Sequence, residues 1–289
     1  MHSVAVWLLA GLATCSWWPQ VVCFALSAYL MVELNNAYAL LRVRSRMVSS
    51  VFMALTCTMT FLFHSLTGGL VQLFTIASLL LLLSTYQNKQ SLGRIFYAFL
   101  LLGIVSMMSV QTLLLVPLLW VLMGTQLQSL SWRGLMATLI GLATPYWFVC
   151  VWFAYQLDFT PLADHFSSIV IFEPLPTAYA TLTVGHWLTF ILTTVLTVTG
   201  VIHFLNNSID DKIRTRLNYG LFTWLSAACL LFTVIQPQHF DPLMRIAVVC
   251  TSPIVAHFLT LTSSRITNIA FFVIAGVTLA VTIANLLVI

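Results

Sequence analysis

The chain is 289 residues long, 61% hydrophobic and only 6% charged, with a mean hydropathy of +1.03. A soluble domain carries about 25% charged residues, so eleven Lys and Arg with seven Asp and Glu exclude a water-soluble globule. They leave an all-α, polytopic integral membrane protein. The net charge of +4 is accounted for by basic anchors at the lipid headgroups, and no nucleic-acid partner is expected.

A transmembrane helix needs roughly 17–25 apolar residues. In chain order that rule predicts segments at 4–18, 20–38, 50–66, 70–86, 95–110, 112–124, 135–157, 184–205, 217–235, 243–262 and 266–288. This is a single membrane domain, 1–289, of about eleven spans. The start, Met1-His2-Ser3, lacks the basic region of a signal peptide, so 4–18 is read as a retained helix. Trp17-Trp18-Pro19-Gln20 splits the first pair, and Gln111 splits 95–124. The six cysteines lie in apolar runs without CxxC spacing and read as small membrane-embedded side chains.

Loop charge decides whether 95–124 crosses once or twice. With two crossings, one side collects Arg42, Arg44, Arg46, Lys89, Arg94, Arg133, Lys212, Arg214, Arg216 and Arg265, and the other only Arg245. A single crossing removes the asymmetry, so the positive-inside rule favours two. The N-terminus is then cytoplasmic and the C-terminus outside. The longest connection, 158–183, is external, with an apolar stretch Phe166–Phe172 suited to lie on the membrane surface.

The charged residues fall in loops or at helix ends, with Glu33 the possible exception, so the midplane acid expected of an ion-coupled transporter is missing. Arg42, Arg44 and Arg46 could grip lipid phosphates, although topological anchoring explains them as well. Outer loops gather Asp158, Asp164, His165, Glu173, His239, Asp241 and Arg245. These supply carboxylates and imidazoles for acid/base work, with Arg245 available to a lipid phosphate. Their spacing fits no zinc pattern, and neither metal nor cofactor is expected. The plain reading is solvated loop residues.

Residues 38–157 carry a pattern with a resemblance. The basic loop Arg42–Arg46 leads to two short helices joined at Thr67-Gly68-Gly69. Then come a polar loop Gln87–Arg94, the run Ala98–Ile104, a break, Leu113–Leu119 with Pro117, then Ser131-Trp132-Arg133 and a helix containing Gly141 and Pro145-Tyr146-Trp147. This helix order resembles the core of GT-C type glycosyltransferases that use polyprenyl-phosphate sugars. It is also similar to a family of uncharacterised bacterial inner-membrane proteins, a domain of unknown function. The resemblance implies a scaffold with an interest in lipid-linked substrates at an inner membrane. In the transferases the first external loop is long and carries a catalytic acid, whereas here it is only Trp17–Gln20. The expectation is therefore a non-catalytic membrane component that packs with lipid-linked intermediates or a membrane protein partner in cell-envelope processes. The alternatives are a divergent transferase and a small-molecule transporter.

Overall fold

The computed structural model describes residues 17–41, 45–60, 63, 65–169, 174–207, 211–261 and 265–288. Every regular element among them is a helix: α1 Trp17–Tyr38, α2 Met47–Thr58, α3 Leu66–Leu83, α4 Leu92–Met108, a 3₁₀ turn Val110–Leu115, α5 Val116–Thr125, α6 Trp132–Gln156, α7 Thr160–Ser167, α8 Leu175–Ala180, α9 Val184–Asn207, α10 Ile213–Ile235, a 3₁₀ turn Pro237–His239, α11 Phe240–Leu261 and α12 Arg265–Val288. Among the described residues, seven helices are long and apolar enough to cross a membrane, and three apolar helical stretches are shorter, at Met47–Thr58, Leu92–Met108 and Val110–Thr125. The protein is an all-helical, multi-pass membrane protein.

Several boundaries follow from local chemistry. The expected interruption at Gln111 is a 3₁₀ turn after Ser109, whose backbone is extended (φ −148°, ψ 94°). Pro117 in the first turn of α5 lacks the N–H that would extend the preceding turn, and it suits a helix start. The 50–66 span is shorter than its hydropathy implies, because α2 ends at Thr58. Thr56 and Thr58 donate back to Phe52 and Leu55 carbonyls, and the Asn285 amide takes the Thr58 carbonyl at 2.6 Å. Hydroxyl and amide groups thus satisfy the helix end. Ser131 caps α6 by accepting from the Gly134 N–H, and Leu157 ends it in the left-handed region (φ 56°). The segment 4–16 lies outside the described residues.

The chain divides into two compact units, residues 1–73 with 176–289, and residues 74–175. In the first, α11 is the central helix and packs on α2, α9 and α10. It buries Ala247, Val249, Cys250, Ile254 and Ala256 completely, as expected of a helix that is apolar all round. The outward residues of α12, among them Phe272, Val273 and Ile283, are exposed, the surface a bilayer would cover. In the second unit α4 lies along α6. Gly103 and Gly141 allow that approach: a Cβ on Gly141 would stand 2.6 Å from the Phe96 carbonyl oxygen. Small residues of this kind let membrane helices come close.

Candidate functional site

The acids and histidines expected in outer loops do not form one cluster. Asp158 is exposed, and its Oδ1 accepts from the Thr160 N–H at 3.0 Å and from the Thr160 hydroxyl. That hydroxyl, then the N–H, holds the carboxyl below the usual aspartate range. Its role is that of a turn cap ahead of α7. Asp164 is exposed on α7. His165 is half-buried, with Nε2 3.1 Å from the Ser106 carbonyl and 3.5 Å from the Tyr146 hydroxyl, which in turn is 2.8 Å from Ser106 Oγ. It secures the end of α4, where carbonyls lack helical partners. Glu173, Arg42 and Arg44 lie outside the described residues, and Arg46 is exposed just before α2.

The remaining residues of that expected set, His239, Asp241 and Arg245, sit in the first unit. Arg245 is only 4% exposed, and its Nε is 3.4 Å from Asp241 Oδ1 one turn earlier on α11. A Cβ at Gly68 would run into the guanidinium, so the glycine makes its seat. Beside it lies a cavity of about 20 Å³, room for about one water. Its lining includes Gln20, Ser27, Thr56 and Gln72, and Gln20 Oε1 is buried without a hydrogen-bond partner. His239 Nε2 stands 3.2 Å from Gln238 Nε2. His186, 2.6 Å from Thr183 Oγ1, packs edge-on against Phe240.

Helices α9 and α11 run parallel from this end to the other. The hydroxyls of Thr197 and Thr251 meet across them at 2.9 Å, and a Cβ at Gly200 would come within 2.8 Å of Ile254. At the far end, His257 Nε2 lies 3.0 Å from Asp211 Oδ2, with both side chains almost fully buried. The Tyr219 ring packs 4.7 Å from His257, and its hydroxyl donates to the Leu40 carbonyl. The His203 ring is 5.6 Å from that of His257. Sequence reasoning missed this cluster. It counted Asp211 as a loop acid and left the histidines out of the charge count. His203 and His257 both fall inside predicted spans, and an ionisable group within an apolar span is itself a functional signal.

No family model, curated protein or solved structure matches the chain. The geometry therefore stands alone. It offers a lipid-facing surface, an ion pair at one end of α11, a buried carboxylate–imidazole pair at the other, and an apolar groove of about 270 Å³. The groove is lined by Met47, Val51 and Ala54 of α2 and by Leu259, Phe271 and Ile274, among others, from α11 and α12. Its volume is near the lower end of the roughly 300–1,000 Å³ usual for small-molecule sites.

Proposed function

We propose that the protein is a non-catalytic component of a bacterial inner membrane that holds a lipid-linked anion in cell-envelope processes. The lipid chain lies in the groove and its phosphate meets the basic loop. The observation that carries this reading is the position of the groove's rim. Met47 lines it, and the preceding residue is the exposed Arg46, a natural fork for phosphate oxygens. The loop-charge asymmetry favours the cytoplasmic face for that rim, in keeping with a proposed chain of about eleven spans with the N-terminus inside and the C-terminus outside. Cysteines introduced singly at Gln90 and Asp164, in a background without the native ones, test those sides. An impermeant thiol reagent should label only the Asp164 position in intact cells.

The transferase alternative needs an available carboxylate near the acceptor and cations for the donor phosphate. Asp158 is engaged by Thr160, and Arg245 is buried against Asp241, which favours binding over catalysis. Native mass spectrometry of the protein in nanodiscs of host lipids tests the reading. A polyprenyl-phosphate or other anionic lipid should be retained by the wild type and lost in Arg46→Glu and in the groove-filling Ala54→Trp. Equal retention by all three would overturn it.

A further inference from the structure

We propose that the cavity between Gln20 and Arg245 is a binding site for one neutral hydroxylic molecule, a water that joins α1 to α2 and α11. Gln20 is 5% exposed, and its Oε1 is buried without a hydrogen-bond partner. Protein interiors satisfy such groups, often with an ordered water. The space beside it measures about 20 Å³, above the roughly 10–15 Å³ that a water needs. Ser27, Thr56, Gln72 and Arg245, all buried, line it as well, and every one of these residues belongs to the first unit. Cavities that stay dry are lined by apolar groups. This one is not.

The lining decides the chemistry of the occupant. Gln20 Oε1 calls for a donor. Thr56 Oγ1 donates to the Phe52 carbonyl and receives Gln72 Nε2 at 3.3 Å, which leaves its oxygen a second lone pair. Ser27 brings a hydroxyl to the same wall. A molecule that both donates and accepts meets this set, and within that volume the molecule is water. Ions suit it less. A sodium ion would stand beside the guanidinium of Arg245, a like charge. A chloride would face Gln20 Oε1 and lie near Asp241, whose Oδ1 is 3.4 Å from Arg245 Nε. Turning the Gln20 amide over exchanges its oxygen and nitrogen, and the water then accepts where it had donated, so the site holds in either orientation. Asp241, one turn earlier on α11, has a side chain 41% exposed, so solvent is about one helical turn away. The site shares no residue with the lipid groove, and the two proposals fail independently.

The test is X-ray radiolysis of the full chain in nanodiscs, read by peptide mass spectrometry, in which radicals made from a bound water hydroxylate the side chains beside it. Phe63 lines the cavity and is buried, and the fully buried Phe222 is the dry reference. Phe63 should be hydroxylated several-fold faster than Phe222 in the wild type, a comparison that needs no variant. Gln20→Leu, which removes the unpartnered oxygen at similar volume, should bring Phe63 down to near the Phe222 rate. Gln20→Met serves the same purpose if the leucine variant does not assemble. Exchanging gluconate for chloride in the buffer should leave the Phe63 rate unchanged. A Phe63 as slow as Phe222 in the wild type would overturn the proposal. So would an undiminished rate in whichever variant assembles, or a rate that falls with chloride, which would give the cavity to an anion.

Discussion

The seam between α4 and α6 can be tested with one methyl group. A Cβ added at Gly141 would lie 2.6 Å from the Phe96 carbonyl oxygen, 3.1 Å from the Leu100 nitrogen and 3.2 Å from the Phe99 Cβ. The first two are backbone atoms and cannot rotate away. Ordinary contact starts near 3.4 Å, so the difference between 3.4 and 2.6 Å means that one helix must retreat by about 0.8 Å. A gap of 0.5–1 Å forfeits roughly a quarter to a half of each dispersion contact it opens, and overpacking of a close-packed core costs about 1–3 kcal/mol. Gly141→Ala should fall in the upper half of that range. Gly93 and Gly276 are helical glycines with nothing within 4 Å of an added Cβ. There alanine should stabilise by about 0.5–1 kcal/mol through helix propensity alone. Denaturant unfolding in mixed micelles, followed by tryptophan fluorescence, separates the two signs. If Gly141→Ala is as benign as Gly93→Ala, the close approach of α4 and α6 is refuted.

Two further outcomes follow from single contacts. Thr197→Val removes the hydroxyl that meets the Thr251 hydroxyl and should cost about 0.6–1.7 kcal/mol, the range of interhelical hydrogen bonds in membranes, with Thr197→Ser restoring most of it in the same unfolding assay. Asp158, its carboxyl held low by Thr160, should stabilise the start of α7 at pH values above about 3.9 and lose that contribution as pH falls through its own lower value. Hydrogen exchange at Thr160 to Ala163 should therefore quicken on acidification in the wild type and be fast and pH-independent, after correction for intrinsic rates, in Asp158→Ala.

Composition alone was enough to read the membrane class, and the apolar runs located the main helices. The interruption near Gln111 was legible because Pro117 and the polar Ser109-Val-Gln-Thr112 stretch mark it. The early end of α2 was not, because its cause is Asn285, 227 residues away. The same limit hid the far-end cluster. Asp211 and His257 are 46 residues apart, and nothing local distinguishes a buried loop aspartate from a solvated one. For Arg245 the sequence placed the charge at the right end of its helix. It was silent on Gly68, whose missing side chain is what lets the guanidinium turn inward.

The first unit is discontinuous: residues 74–175 intervene between its α1–α2 part and its α9–α12 part. During synthesis, α1 and α2 emerge long before α11, the helix on which α2 packs. The second unit, contiguous in the chain, can consolidate first, since near-neighbour contacts close fastest. Throughout that interval Phe52 can already meet Phe24 of α1, but the part of α2 that α11 later covers, buried in the finished protein, has only lipid or an insertion chaperone for company. Biogenesis therefore has a waiting step that ends when α11 enters the bilayer, and a ribosome stalled before that point would display α2 as a substrate for quality control.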